Sequence, residues 1–73
     1  MAGNGFSNKR LGKIIRKHRE IRKLTQEKVS SDSHVDRTYI ARIEAGKANP
    51  TIKVLYKISK IFNLSLSDFL EGI

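Results

Sequence analysis

A chain of 73 residues buries only ~60% of the surface its unfolded form exposes, so it makes one small domain with an economical core. Hydrophobic residues at 38% and charged residues at 30% suit a compact fold with a solvated exterior, and a formal charge of +8 calls for an acidic partner, nucleic acid first. The absence of cysteine excludes disulfide staples, thiol catalysis and cysteine-ligated zinc, and fits a reducing compartment.

No apolar run approaches the ~20 residues needed to span a bilayer, and Met1 to Ser7 has no signal-type hydrophobic stretch, so a cytoplasmic product with no membrane partner is expected. Residues 1–8, MAGNGFSN, are rich in small and turn-forming types and read as a flexible N-terminal arm, with Ser7 or Asn8 available as a helix cap. Residues 9–73 read as the folded domain.

From Lys9 to about Lys23, Leu11, Ile14, Ile15, His18 and Ile21 fall on one arc, with Lys13, Arg16, Lys17 and Glu20 opposite, which predicts an amphipathic first helix. It holds eight of the fifteen basic residues against one acid, a local positive field or simply a solvated face. Thr25 can cap a second helix, with Glu27 where the helix dipole favours an acid, ending around Ser31 to Ser33. His34 and Val35 make the turn, Asp36 caps a third helix over about 36–45, and Gly46 supplies the left-handed residue that ends it.

Two capped segments separated by a few residues have the layout of a helix-turn-helix. The second of them is two-faced: Tyr39, Ile40 and Ile43 on one side, Arg37, Thr38, Ala41, Arg42 and Ala45 on the other.

Asn49-Pro50 breaks the chain, Thr51 can cap again, and Ile52, Leu55, Ile58 and Phe62 recur at helical spacing through a fourth helix. Ser65-Leu66-Ser67-Asp68 is a capping-box pattern ahead of Phe69, Leu70 and Ile73, which predicts a short fifth helix and an all-α fold. The serines lack a partnered His and acid, there is no glycine-rich phosphate loop, and His18 and His34 stand apart from other ligand types. No enzyme activity, metal, cofactor or small-molecule ligand is therefore expected.

The segments LTQE, DRTYIARIEAGKANPT and SLSDFL together resemble the Cro and C1 type helix-turn-helix regulators, the XRE family, over Leu11 to Leu70. Within that family the Asp-Arg-Thr-Tyr-Ile start of helix three resembles the controller proteins of restriction-modification systems. The resemblance implies a compact five-helix, lambda-repressor-like domain and a sequence-specific, DNA-binding transcriptional regulator. It also implies that Arg19 and Glu44 form the family's ion pair tying helix one to helix three. The chain has Lys23 and His34 where the family has Gly, and His18 where it has a leucine-like residue. A non-Gly residue in a left-handed turn costs about 1 kcal/mol, so a slightly different turn geometry is expected at those two positions.

In such a motif the third helix lies in the major groove. Arg37 and Arg42 are then candidates for guanine, whose O6 and N7 accept two bonds from a guanidinium, with a phosphate clamp as the alternative. Thr38 can bond a base or a phosphate, and Ala41 and Ala45 are small enough for close approach. The resemblance makes Gln26 a backbone contact; Thr25, Tyr39, Lys47, Asn49 and Lys53 complete the expected phosphate set. One reading helix covers few base pairs, so a homodimer on a pseudo-palindromic operator is expected, with Val54, Ile61, Phe69 and Ile73 at its interface and Leu64, Leu66 and Leu70 closing the monomer core. The competing reading is a helical protein-interaction module, such as an antitoxin-like partner-binding domain.

Overall fold

In the computed structural model, which describes residues 7–71, every helix begins where a short polar side chain accepts a hydrogen bond from its first turn. Ser7 caps α1 (Asn8–Ile21), Thr25 caps α2 (Gln26–Ser33) and Asp36 caps α3 (Arg37–Glu44). Thr51 caps α4 (Ile52–Ile61) and Ser65 caps α5 (Leu66–Leu70). Ser7 is thus the cap, one of the two residues expected for that role, and Asn8, expected in the arm, is the first residue of α1; the rest of the expected arm, residues 1–6, lies outside the described residues.

The apolar stripes of these helices meet in one core. Leu11 and Ile15 of α1, Val29 of α2, Ile40 and Ile43 of α3, and Leu55 and Ile58 of α4 are buried, and Phe62 and Phe69 fill the space under α5. Each such side chain contributes about 1.5–3 kcal/mol by leaving water. Two residues expected on inner arcs are outside: Ile21 is 64% exposed and Ile52 60%. Both sit at a helix end, where the apolar period continues but no neighbouring helix remains to cover it.

A tight seam joins α1 to the C-terminal half of α3. A Cβ at Gly12 would collide with the Ile43 carbonyl oxygen and stand 2.7 Å from that of Glu44, so only glycine lets the two backbones approach this closely. Arg22, at the end of α1, ties that helix to the far end of α4: its guanidinium donates to the Phe62 carbonyl at 3.0 Å and stacks 5.1 Å from the Phe62 ring.

The turn geometry expected to change at Lys23 and His34 does not change. Their φ angles are 56° and 62°, left-handed despite the Cβ, and Asn63 joins them at 58°. At His34 the strained backbone is held by its surroundings: the Ser30 hydroxyl donates to the Val35 carbonyl at 2.5 Å, and the buried Ser33 hydroxyl accepts from the Val35 N–H. The turn between α2 and α3 is therefore fixed by two serines rather than relaxed by a glycine.

Candidate nucleic-acid interface

Burial divides α3 cleanly. Ile40 and Ile43 are fully buried and Tyr39 is half-buried against the core, while Arg37, Thr38, Arg42 and Ala45 are exposed and Ala41 lies between them, half-buried. Arg37 opens the helix, directly after the Asp36 cap, so its side chain stands at the N-terminal end that a recognition helix presents to a groove. Arg42 is turned sideways: its guanidinium donates to the Lys47 carbonyl at 3.1 Å, which fastens the loop after α3 to the helix and leaves further N–H donors for a ligand.

What orients α3 is a polar knot centred on Glu44. Arg19 of α1 donates to both carboxylate oxygens, at 2.7 and 3.0 Å, and its third nitrogen donates to the Leu24 carbonyl at 2.8 Å. The Gln26 side-chain amide donates to the same carboxylate at 3.1 Å. With side chains only 13% and 5% exposed, Arg19 and Glu44 are a bidentate, largely dry pair, and the hydrogen bonds to Glu44 raise the Arg19 pKa above its ordinary value. Three helices meet at one carboxylate, so the angle of α3 against the start of α2 is set by side-chain geometry as well as by packing.

Around this knot the surface is concave. One hollow of about 430 Å³ is lined by Arg19, Thr25, Gln26, Glu27 and Arg37, bringing the start of α2 beside the start of α3. The first N–H groups of α2 have no partner within the helix, and with the helix dipole they favour an anion there. A second hollow of about 300 Å³ is lined by Arg16, Arg19, Gln26, Ala41, Glu44 and Ala45.

The expected site residues fall into three groups. Arg37, Thr38, Ala41, Arg42, Thr25 and Gln26 gather on this one side, joined by the hollows and by α3 itself. Lys47, Asn49 and Lys53 are exposed on the loop and the first turn of α4 that follow α3. The expected interface residues are scattered: Val54 and Ile61 are half-buried on one flank of α4, and Ile73 lies outside the described residues. Phe69 is corrected. It is 1% exposed, its ring 5.9 Å from those of Phe62 and His18, so it belongs to the monomer core and is not free to meet a partner. The larger exposed apolar groups on α4 are instead Ile52 and Tyr56, one turn apart.

Sequence reasoning missed Arg16 at the rim of α3 and the Gln26 link to Glu44; neither leaves a signal in spacing, because the contacts cross between helices. Among the described residues no helix is long and apolar enough to cross a membrane, and no cluster of three metal-ligating side chains occurs.

A helix-turn-helix family profile matches residues 15–69. The chain is 40% identical over 45 residues to an uncharacterized HTH-type transcriptional regulator of Archaeoglobus fulgidus, a match covering 62% of this chain and 63% of that protein. It is 33% identical over 60 residues to the control protein C.SmaI of Serratia marcescens, covering 82% and 71% of the two chains. Among solved structures, the restriction-modification controller protein C.Esp1396I bound to a 25 base pair operator site superposes with a TM-score of 0.81 at 37% identity, over 93% of this chain and 90% of that one. The two-faced α3, its capped partner α2 and these matches agree: the chain belongs to the helix-turn-helix family of Cro/C1-type, DNA-binding transcriptional regulators.

Proposed function

We propose that this protein is a dimeric, cytoplasmic regulator of transcription that binds a pseudo-palindromic operator with α3 in the major groove. The observation that carries this reading is the outward side of α3, where Arg37, Thr38 and Arg42 are exposed while the opposite side is sealed in the core. Arg37 and Arg42 are the base readers, with Thr38 and Ala41 between them. Thr25, Gln26, Tyr39, Lys47, Asn49 and Lys53 hold the flanking phosphates, with the N–H groups that open α2. A protein-interaction module would present an apolar or acidic outer face on α3, and this face is basic.

The dimer places two copies of α3 one DNA turn apart, ~34 Å. Val54 and Ile61, in line on one flank of α4, supply part of its contact; the exposed Ile52 and Tyr56 lie on the opposite flank of that helix and point away from this face.

Selection of duplexes from a random pool, followed by binding across a salt series, tests this reading. A selected duplex should bind about a thousandfold or more tighter than its scrambled counterpart. Arg37→Ala narrows that ratio by roughly tenfold, whereas Lys47→Ala weakens both duplexes alike and lowers the salt slope by about one. A ratio near one in the unmodified protein overturns the reading.

A further inference from the structure

Arg16 lies outside the helix-turn-helix and outside every contact set assigned above, yet it shares a hollow with Ala41 and Ala45, the small residues on the outward side of α3. The reason is the glycine seam. With Gly12 pressed against the Ile43 and Glu44 carbonyls, the side of α1 that carries Arg16 is drawn alongside the C-terminal half of α3. Helical geometry puts Arg16 about 40° from the Gly12 direction, whereas Lys17 points about 140° away from it.

The other charges lining that hollow are satisfied. Arg19 and Glu44 neutralise each other in a largely buried bidentate pair, and Gln26 donates to the same carboxylate. Arg16 is held differently, by a single bond from Nε to Glu20 at 3.0 Å, with the two side chains 64% and 54% exposed. Such an exposed pair within one helix is weak, and small against a charge-assisted bond to phosphate.

We propose that Arg16 is a further DNA contact of this protein, gripping the phosphate backbone that borders the C-terminal half of α3, and that Glu20 holds its guanidinium in place until the phosphate takes it over. The proposal rests on the reading of α3 as the groove-bound helix. Arg16 then clamps the wall of the groove beside Ala41 and Ala45, while Lys47, on the loop beyond the helix, holds the flanking phosphates. Because phosphate carries no sequence information, Arg16 adds affinity to every duplex and leaves base preference unchanged.

The experiment compares Arg16→Ala, Arg16→Lys and Lys17→Ala on two probes, the duplex selected by the unmodified protein and a random-sequence duplex, across a salt series. Thermal melting confirms that each variant is folded. Arg16→Ala should weaken both probes by about tenfold near 0.1 M salt and lower the salt slope by about one; Arg16→Lys should recover the slope. Lys17→Ala removes the same charge from the far side of α1 and should shift the slope by less than half as much. Glu20→Gln should tighten binding two- to threefold in the unmodified protein and by less in the Arg16→Ala background, the signature of a competed pair.

Equal behaviour of Arg16→Ala and Lys17→Ala overturns the contact even when selection has enriched an operator and the wider reading stands. Selection that enriches nothing overturns the operator reading, and the random-sequence duplex still decides on Arg16 through its slope.

Discussion

Two arginines of α1, three residues apart, each face a glutamate and do opposite work. Arg19 meets Glu44 in a bidentate, largely buried pair that gathers α1, α2 and α3; Arg16 meets Glu20 through one exposed bond within its own helix. The chemistry of the partners is the same, so burial makes the difference. A guanidinium removed from water has to be matched by a fixed carboxylate and becomes part of the architecture. One left in water is weakly held and stays available to a ligand.

That contrast is broken most forcefully at Glu44. Glu44→Ala leaves the Arg19 charge half-sequestered and takes the acceptor from Gln26, and should destabilise the fold by about 3 kcal/mol, read as a fall in the urea midpoint with little change in slope. A loss below 0.5 kcal/mol would place Arg19 in the same class as Arg16.

The seam that separates the two environments is tested at Gly12. Gly12→Ala drives a methyl into the Ile43 and Glu44 carbonyls and should cost about 1–3 kcal/mol, with DNA affinity falling further than the unfolded fraction explains, because Arg16 and α3 are displaced together. Thermal melting and binding measured on the same sample separate those two effects.

His18 extends the comparison to a group that can lose its charge. It lies beside Phe62 and Phe69, accepts from Arg22 at Nδ1, and its pKa is lowered, first by burial and then by the neighbouring positive charges of Arg22 and Lys17. The folded state therefore binds the proton less readily than the unfolded chain. Stability from this group is complete above the unfolded value near 6.5 and declines as pH falls from there toward the lower folded value. His18→Leu should remove that decline from a urea-unfolding series between pH 7.5 and 5; an unchanged slope would show that His18 is as free as an exposed histidine.

The smallest effect belongs to the exposed pair. Arg16→Ala should change stability by no more than about 0.5 kcal/mol, within the range of an ordinary surface substitution, while its effect is felt in binding. A loss comparable to that at Glu44 would make Arg16 architectural and dissolve the contrast.

How much of this was legible in the sequence follows from range. Caps are local events, and Ser7, Thr25, Asp36, Thr51 and Ser65 could be read because each side chain bonds to a backbone N–H two or three residues on. The two faces of α3 were legible because a single period places them. Period failed at Ile21 and Ile52, since it reports where apolar residues recur and not where the covering helix stops. It failed at Phe69 for the opposite reason: spacing places that ring at an interface, but His18 and Phe62, distant in the chain, close around it. The Arg19–Glu44 pair spans 25 residues and was reachable through family resemblance, not through spacing; resemblance also marked Gln26, but as a backbone contact, while its bond to Glu44 and the seat of Arg16 beside α3 cross between helices and left no signal of either kind. Lys23 and His34 taught a further point, that a left-handed turn persists without glycine when neighbouring bonds hold it.

Methylation interference on the selected operator tests most directly whether the outward side of α3 occupies the major groove. Guanines modified at N7 report on that groove and adenines modified at N3 on the minor one. Binding should be blocked by N7 methylation at symmetric guanines in both half-sites, and Arg37→Ala should lose its sensitivity at one guanine of each. Binding indifferent to N7 methylation and blocked by N3 methylation instead would contradict the placement of α3.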